Sequence, residues 1–508
     1  MPAKTHYPKH RGTNVPHHPL LIGAAQQRPI AIEPHMANRH GLIAGATGTG
    51  KTISLQILAQ GFSDLGVPVF VPDIKGDFSG IAAAGETSDR LVERAQRVGI
   101  DHFEVYAAPT VFWDVFGEQG HPLRLTMADF GPVLLSRLLN LNETQTGVMQ
   151  LAFKVADDNG WLLLDLKDLR AMLTWVSDNR QELSGTYGNV APASIGAIQR
   201  ALLTLESQGG EQFFGEPAVT LHDFLQTDPQ GKGVVNILHA EQLYRNSPLV
   251  YSTLLLWLLS ELFEQLPELG DPDKPSFVVF FDEAHLMFNR APRSLLDRIE
   301  QVVRLIRSKG VGVYFITQNP TDIPDNVLGQ LGNRIQHALR AFTPRDQRAV
   351  RVAAQTFRPN PKLDTEATIT ALGVGEALVS VLDAKGTPTP VERVTIRPPA
   401  SRMGPLTTAE RQALMSDSVL AGVYDQPVDR ESAYQILQRQ AEEALSEEAT
   451  VSVTTQNQAT SRRAGKSGRT GSSILAATAT SAMRSIGTQI GRQVARGLLG
   501  SLTGRRRR

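Results

Sequence analysis

Residues Gly41 to Thr52 of this 508-residue chain read GLIAGATGTGKT, and apolar residues at helical spacing follow them. The apolar run, the glycine-rich turn and the helical segment predict the strand, loop and helix of a phosphate-binding P-loop. Glycine is needed there because successive backbone N–H groups must face phosphate oxygens without a clash from a Cβ atom. Lys51 is predicted to reach the β- and γ-phosphates, and the Thr52 hydroxyl to bind Mg²⁺. The predicted nucleotide-binding residues are Gly45, Ala46, Thr47, Gly48, Thr49, Gly50, Lys51 and Thr52.

Residues Ser276 to His285 read SFVVFFDEAH and are predicted to form the second half of the nucleotide site. The unbroken apolar run fits a strand buried on both faces, as in a parallel sheet with helices above and below. Adjacent strand residues point in opposite directions, so Asp282 is predicted to hold a water on Mg²⁺. Glu283 is then expected to face the γ-phosphate and take a proton from the attacking water. Two roles stay open for His285, one in packing or at the helix N-terminus and one in catalysis.

Two further predicted strands end in polar residues. Val67 to Val71 leads to Asp73 and Lys75, which either join a ligand site at the carboxyl edge of the sheet or only belong to a loop. Val311 to Thr317 ends at Gln318. The amide of Gln318 can hydrogen-bond both water and γ-phosphate. It is therefore expected to couple hydrolysis to a conformational change in the segments that follow it.

The whole pattern predicts an α/β protein with a mostly parallel central sheet, a helical insertion and a closing β-hairpin. Helical segments separated by loop-forming residues lie between 123 and 205, whereas 375–383 and 389–396 alternate apolar and polar side chains and form the hairpin. The other predicted strands are 29–32, 38–44, 67–71, 233–238, 276–281, 311–317 and 334–340. The predicted divisions are an N-terminal extension (1–28), an ATPase domain (29–400) with the insertion at about 122–215, C-terminal helices (401–450) and a low-complexity basic tail (451–508).

Composition excludes several classes of protein. Without cysteine the chain has neither disulfides nor cysteine-based zinc or iron–sulfur sites, which fits a reducing compartment. Met1 to Pro19 lacks an apolar core and is not expected to be a signal peptide. Leu254 to Leu266 is apolar but short, and it contains Glu261 and Glu264, so it predicts a buried helix rather than a membrane span. We therefore expect a cytoplasmic protein.

The formal net charge of zero is the sum of two unlike parts. Residues 461–508 contain eleven arginines and lysines and no acidic residue, so the preceding 460 residues carry a formal charge near −11. The composition of 451–473 predicts disorder, whereas about 474–503 predicts a basic amphipathic helix. Such a helix can lie on anionic lipid, dock on a partner helix or bind DNA phosphates, although solvated tails without a partner are also common.

Five segments between about Ile32 and Pro399 resemble a known family: GLIAGATGTGKT, VPDIKGDFSG, VVFFDEAHLMF, IEQVVRLIRSKGVGVYFITQNP and LGNRIQHALRAFTPRDQ. They resemble the HerA/FtsK branch of P-loop ATPases, and within it the YjgR-type proteins with a HerA-like helicase C-terminal domain. The resemblance implies a RecA-like domain working as a ring, a hexamer, with ATP at the subunit junctions. It also implies an arginine that reaches the neighbouring subunit's γ-phosphate. Arg307 matches that position best, with Arg304 and Arg334 as alternatives, and a surface salt bridge is the competing role for Arg307.

The motifs and the resemblance together favour an ATP-hydrolysing motor that uses Mg²⁺ and forms a ring that translocates or unwinds DNA. The alternative is an ATP-driven switch or protein-remodelling enzyme that contacts a membrane or a protein through the basic C-terminal helix. A scaffold with a vestigial site is disfavoured because Lys51, Thr52, Asp282, Glu283 and Gln318 are all present. HerA-like translocases carry an N-terminal β-barrel, for which the roughly forty residues before the P-loop leave no room. DNA loading and contact with a partner nuclease are therefore expected to differ.

Overall fold

Twelve strands of the described chain form a single sheet. The computed structural model describes residues 18–289 and 293–446. Within them the strands are β1 (Leu20–Ala25), β2 (Arg28–Ile32), β3 (Gly41–Ala44), β4 (Val69–Asp73), β5 (Thr110–Asp114), β6 (His121–Pro122), β7 (Val235–His239), β8 (Phe277–Phe281), β9 (Val311–Thr317), β10 (Asn333–Gln336), β11 (Glu376–Ser380) and β12 (Glu392–Ile396). Their order across the sheet is β2-β1-β12-β11-β10-β3-β9-β8-β4-β7-β5-β6.

The sheet has a parallel part and an antiparallel part. Neighbouring strands are parallel from β10 through β3, β9, β8, β4, β7 and β5 to β6. They are antiparallel from β10 through β11, β12 and β1 to β2. Parallel neighbours need crossover connections, which here bring helices onto the faces of the sheet. The segments that follow β3, β9, β8 and β4 consequently emerge side by side at one carboxyl edge.

The helices connect and cover these strands. The α-helices of the described residues are α1 (Lys51–Asp64), α2 (Asp89–Arg97), α3 (Met127–Leu138), α4 (Glu143–Asp158), α5 (Leu166–Asp178), α6 (Arg180–Tyr187), α7 (Pro192–Leu205), α8 (Glu211–Phe213), α9 (Leu221–Phe224), α10 (Glu241–Asn246), α11 (Pro248–Gln265), α12 (His285–Asn289), α13 (Arg293–Leu305), α14 (Asp325–Leu328), α15 (Pro344–Gln355), α16 (Thr365–Ala371) and α17 (Thr408–Ser416). Residues 433–446 are also helical.

Aromatic side chains on both faces of β8 fix the helices over the sheet. On one face Phe280 packs against Phe62 of α1 and Tyr314 of β9, with ring centroids 6.2 and 5.3 Å away. On the other face Phe281 stacks on Phe315 at 5.3 Å, within the apolar cluster that includes the insertion helices. Burial of one such ring contributes roughly 1.5–3 kcal/mol. Helix α1, and with it the P-loop, is thereby held against β8 and β9.

The helix at residues 433–446 is attached to the insertion helices α3 to α7. The backbone N–H groups of Leu164 and Asp165 donate to Oδ2 of Asp168 at 2.8 and 3.0 Å, at the start of α5. The N–H of Tyr434 donates to the other oxygen, Oδ1, at 2.9 Å. One buried carboxylate therefore joins the insertion to the last described helix.

The predicted mostly parallel α/β sheet and the closing hairpin are confirmed, since β11 and β12 pair antiparallel. Strands β1, β5 and β6 were not predicted from the sequence. Strand β1 lies in the stretch predicted as an N-terminal extension, but it pairs with β12, so the sheet begins at Leu20 rather than at residue 29. The predicted strand 38–44 is shortened at its start because Pro34–Arg39 form a 3₁₀ helix, and the predicted strand 334–340 ends at Gln336.

The apolar stretch predicted as a buried helix, Leu254 to Leu266, forms about the last two thirds of α11, and its leucines lie in the core. None of the helices in the described part of the chain is both long enough and apolar enough to cross a bilayer. The predicted disordered segment at 451–473 and the predicted basic helix at about 474–503 lie outside the described residues.

Candidate functional site

The ends of four strands meet at the carboxyl edge of the sheet. Strands β3, β9, β8 and β4 are consecutive parallel neighbours, with Ala44 opposite Thr317 and Phe281 opposite Phe315. Adjacent strands lie about 4.8 Å apart, so the ends of β3 and β8 are roughly 10 Å apart. The two halves of the predicted nucleotide site are therefore close enough to share a triphosphate and its metal.

The P-loop turn has a backbone conformation that requires glycine. Gly45, Gly48 and Gly50 have φ values of +156°, +77° and +112°, which residues with a Cβ rarely adopt. A Cβ atom at Gly45 would lie 2.5 Å from the Cβ of His337. Helix α1 begins at Lys51, so the positive end of the helix faces the turn.

Lys51 points back into this turn. Its Nζ donates to the carbonyl oxygens of Gly45 and Ala46 at 2.7 and 3.1 Å, and the residue is 6% exposed. Burial, followed by the nearby Lys75 ammonium, lowers the pKa of Lys51, while the carboxylates of Glu283 and Asp282 oppose that shift. Bound phosphate oxygens would replace the two carbonyls as partners of the ammonium.

His337, which the sequence analysis left unassigned, supports the P-loop from the end of β10. Its ring Nδ1 lies 3.0 Å from the carbonyl oxygen of Glu376, and Nε2 lies 2.9 Å from Oγ of Ser54. Because a carbonyl only accepts, Nδ1 carries the proton and Nε2 accepts from the Ser54 hydroxyl. Burial lowers the pKa of His337 to about 4, so the ring is neutral at physiological pH. In the sequence His337 falls in the middle of the predicted strand 334–340, and no sequence signal marked it for this role.

Asp282 and Glu283 follow β8 directly and are 8% and 4% exposed. Oδ1 of Asp282 accepts from the N–H of Glu283 at 2.9 Å. The φ of Glu283 is +47°, a left-handed conformation that costs a non-glycine residue on the order of 1 kcal/mol or more. Burial raises the pKa of Asp282 to about 7, against the opposing charge of Lys75. A bound dication would reverse this shift because it pairs the carboxylate with positive charge.

Three side chains surround the carboxylate of Glu283. The ammonium of Lys75 contacts Oε1, Nδ1 of His285 lies 3.2 Å from Oε2, and Nε2 of Gln318 donates to Oε2 at 3.4 Å. Burial by itself would raise the pKa of Glu283, but the hydrogen bond and charge of Lys75 outweigh it, with help from His285 and Lys51. The pKa of Glu283 therefore lies below its ordinary value, and the predicted base is ionised.

Asp73 shapes the loop that carries Lys75. Its Oδ1 accepts from the N–H of Gly76 at 2.7 Å, and its Oδ2 accepts from the N–H of Phe78 at 3.2 Å. Burial, with the nearby charge of Asp77, raises the pKa of Asp73 to about 6. The sequence left open whether Asp73 and Lys75 join a ligand site or only belong to a loop. Asp73 stabilises the loop, whereas Lys75 contacts Glu283 in the site.

Asp77 is a second residue without an assigned role in the sequence analysis. The hydroxyl of Thr52 donates to its Oδ2 at 3.4 Å, and its Oδ1 is buried without a hydrogen-bond partner among the described residues. With Asp282 these side chains offer a hydroxyl and carboxylate oxygens, the ligands that Mg²⁺ takes alongside water and phosphate oxygens. The residues present therefore fit the predicted metal. The sequence signal for this role of Asp77 was its place as an acidic residue in the VPDIKGDFSG segment, which also contains Lys75.

The three candidate arginines do not contact the site within the described chain. Arg307 lies in the 3₁₀ helix that precedes β9, at the amino edge of the sheet and about 20 Å from the carboxyl edge. Its Nη2 donates to Oδ1 of Asp271 at 3.2 Å, and the two side chains are 39% and 78% exposed. Arg304 is exposed on α13. The guanidinium of Arg334 instead donates to three backbone carbonyls, those of Leu328, Leu331 and Thr356.

A P-loop on β3, an acidic pair at the end of β8 and a glutamine on the strand between them define a RecA-like P-loop ATPase. The chain belongs to a family within this class, described as "Helicase HerA-like C-terminal", which it matches over residues 19–508. The resemblance predicted from the five sequence segments is thereby confirmed.

The chain is also similar to two curated relatives. The chain is similar to the DNA double-strand break repair helicase HerA of Saccharolobus solfataricus, with 23% identity over 350 residues, 67% of this chain and 61% of the relative. It is similar to the protein of the same name from Sulfurisphaera tokodaii, with 22% identity over 372 residues, 71% of this chain and 65% of the relative. The chain thus spans less than two thirds of the length of these relatives.

Solved structures with a similar fold include the plasmid coupling protein TrwB in complex with ADP and Mg²⁺. The TM-score is 0.51 at 15% identity, covering 75% of this chain and 91% of that chain. TrwB in complex with the non-hydrolysable ATP analogue ADPNP gives a TM-score of 0.51 at 15% identity, covering 74% of this chain and 89% of that chain. These similarities support the RecA-like fold.

Proposed function

We propose that this protein binds ATP with Mg²⁺, hydrolyses it and uses the energy to move DNA as a ring of identical subunits. The observation that carries the proposal is the meeting of Lys51 and Thr52 with Asp282, Glu283 and Gln318 at one edge of the sheet. Membership of the HerA-like family supports it, as do relatives named as DNA helicases and a similar fold solved with ADP and Mg²⁺. The proposal implies a cytoplasmic protein, because ATP and Mg²⁺ are available there.

The proposed hydrolysis divides the chemistry among five side chains. Lys51 exchanges its two carbonyl partners for oxygens of the β- and γ-phosphates. Thr52 and Asp282 hold Mg²⁺, which when bound neutralises charge that develops on the phosphates. Glu283 accepts a proton from the attacking water. Gln318, whose amide already lies 3.4 Å from Glu283, orients that water.

Ring assembly is proposed because Arg307, the best match to the family's arginine in trans, lies far from the nucleotide site of its own subunit. Arg307 lies at the opposite edge of its own sheet, where its guanidinium pairs with the exposed Asp271. Its guanidinium is therefore accessible to a neighbouring subunit. An arginine supplied in trans typically accelerates phosphoryl transfer by about three to five orders of magnitude. Hydrolysis would then depend on assembly, and we propose a hexamer as the closed form.

Exposed arginines on α15 support a nucleic-acid partner. Arg345, Arg348 and Arg351 recur every three residues and are exposed, and Arg340 is exposed just before the helix. The N–H of Ala46 in the P-loop donates to the carbonyl of Ala338 at 2.9 Å, so this basic segment starts beside the nucleotide site. Spaced guanidinium groups bind a phosphate backbone irrespective of base sequence. The basic residues of 461–508 add to this charge.

The experiment that tests the proposal measures steady-state ATPase activity at low salt with and without duplex and single-stranded DNA. The mass of the assembly is measured in parallel with a non-hydrolysable ATP analogue. We expect DNA to stimulate hydrolysis and the nucleotide to favour a six-subunit mass. Lys51→Ala should abolish nucleotide binding, whereas Glu283→Gln should bind ATP without turning it over. A rate indifferent to every DNA at low salt would contradict DNA as the polymer.

The alternative, a remodelling or switch ATPase at a membrane or protein partner, rests on the basic C-terminal segment. Deletion of Ser473 to Arg508 distinguishes the two functions. If the deletion abolishes binding to anionic liposomes and leaves DNA stimulation intact, the segment is a membrane contact. If it abolishes DNA binding at low salt, the segment belongs to the DNA-translocating function.

A further inference from the structure

We propose that Lys75 is a positioning residue that holds the carboxylate of Glu283 while the site lacks nucleotide, and that this ion pair must open before hydrolysis. The inference rests on the proposed ATPase function and assigns Lys75 a role in it.

Both carboxylate oxygens of Glu283, the proposed proton acceptor, are in contact with cationic or polar side chains. Oε1 contacts the ammonium of Lys75, and Oε2 is shared by Nδ1 of His285 at 3.2 Å and Nε2 of Gln318 at 3.4 Å. The side chain of Glu283 is only 5% exposed, so solvent cannot easily replace these partners. Of the three contacts, the one with Lys75 joins two full opposite charges and is therefore the strongest.

The geometry of the loop makes Lys75 the partner that can leave. Asp73 accepts hydrogen bonds from the N–H groups of Gly76 and Phe78, so the turn between Asp73 and Gly76 that carries Lys75 is anchored at both ends. The side chain of Lys75 is 38% exposed and ends a flexible four-carbon stem. Rotation of this side chain opens the ion pair without moving the loop. Glu283, by contrast, is buried at the end of β8.

A bound triphosphate supplies the competing anion. The charges of Asp77, Asp282, Glu283 and Lys51 all act on Lys75, which places its ammonium among the groups that surround the predicted γ-phosphate. Two additional phosphate charges in this space attract the ammonium away from Glu283. Substrate binding would thereby weaken the contact that occupies the base.

The test compares two substitutions in the full-length protein without DNA. Lys75→Met keeps the length of the side chain and removes its charge, and Lys75→Arg keeps the charge. We expect Lys75→Met to raise kcat about five-fold, equivalent to about 1 kcal/mol and to a partly exposed ion pair, with the KM for ATP within about two-fold of the wild type. Lys75→Arg should restore a rate close to that of the wild type.

Lys232 provides a matched control. It pairs with Asp64 at 2.7 Å and is 33% exposed, which is similar to Lys75, but it lies at the opposite end of α1 from the P-loop. Lys232→Met should leave kcat unchanged. An unchanged kcat in Lys75→Met would overturn the proposal. A lower kcat with a higher KM would also overturn it, because Lys75 would then bind substrate rather than hold the base.

A second measurement does not depend on hydrolysis. Nucleotide-free protein is treated with an amine-acylating reagent, and the rates of labelling at Lys75 and Lys232 are followed by peptide mass spectrometry. Glu283→Gln is expected to increase labelling of Lys75 about five-fold and to leave Lys232 unchanged, because the amide no longer holds the ammonium. Equal rates at Lys75 in both proteins would refute the ion pair. If the wild type neither binds nor hydrolyses ATP, the proposed function fails, while the labelling still decides whether Lys75 holds Glu283.

Discussion

At the scale of single residues, the carboxylates of the site are held at a cost to stability. Burial raises the pKa of Asp282 to about 7 and that of Asp73 to about 6, from an ordinary value of 3.8. Between about pH 4 and pH 7 the folded protein keeps protons that the unfolded chain has released. The contribution of these two carboxyl groups to the free energy of unfolding therefore decreases as pH rises through this window, as long as no cation neutralises Asp282, whereas buried His337, with its lowered pKa, contributes in the opposite sense.

Asp282→Asn removes the larger of these costs. The amide has no charge to bury, so the nucleotide-free variant is expected to be more stable than the wild type at pH 8 by on the order of 2 kcal/mol. The difference should shrink at pH 5, where Asp282 is protonated in the folded state. Denaturant unfolding in magnesium-free buffer at the two pH values checks this. Asp101→Asn, at an exposed position, should not change the free energy of unfolding at either pH. If Asp282→Asn gained the same stability at both pH values, the explanation would be contradicted.

Gly45 is predicted to tolerate no side chain. Its φ is +156°, and an added Cβ would lie 2.5 Å from Cβ of His337 and 3.0 Å from Oγ1 of Thr49. Gly45→Ala should therefore lower the free energy of unfolding by about 1–3 kcal/mol and abolish thermal stabilisation by an ATP analogue. Gly147 on α4 is the control, because a Cβ there meets nothing within 4 Å. Gly147→Ala should raise stability by up to about 1 kcal/mol and leave nucleotide binding intact.

At the scale of elements, the contact between the insertion and the helix at 433–446 depends on Asp168. Asp168→Ala leaves the buried N–H groups of Leu164 and Tyr434 without their acceptor, which should cost about 2–4 kcal/mol. Hydrogen exchange should accelerate in residues 433–446 more than in the central strands. Asp157→Ala on the exposed side of α4 should stay within about 0.5 kcal/mol of the wild type. An equal acceleration in all elements would mean that Asp168 does not act on this contact.

The strands and loops differ in how well the sequence predicts them. Strands β8 and β9 were predicted because strands buried on both faces leave long apolar runs. Strand β5 was missed because its apolar run is only Val111 to Trp113, and β1 was missed because its pairing partner β12 lies about 370 residues further along the chain. The P-loop was predictable because its function lies in consecutive residues. The contact of Lys75 with Glu283 was not, since it joins two loops whose proximity depends on the order of strands in the sheet.

At the scale of the whole molecule, the position of Arg307 predicts complementation between subunits. Arg307→Ala and Lys51→Ala should each abolish ATPase activity. A mixed ring at equal ratio has half of its P-loops and half of its arginines intact, so roughly a quarter of the junctions are complete. We therefore expect the mixture to recover about that fraction of wild-type activity after subunit exchange. Arg97→Ala, which removes an exposed helix arginine, should remain active alone. An inactive mixture would show that Arg307 does not act across subunits.

The attachment of the helix at 433–446 has a consequence for the basic residues that follow it. The N–H of Ala433 donates to the carbonyl of Leu162 at 2.9 Å, so the last described helix, which the basic sequence 461–508 follows along the chain, is fixed to the insertion. In the proposed ring every subunit would bring its own copy of this basic sequence, and multivalent contact would bind a long polyanion with higher avidity than a single copy could.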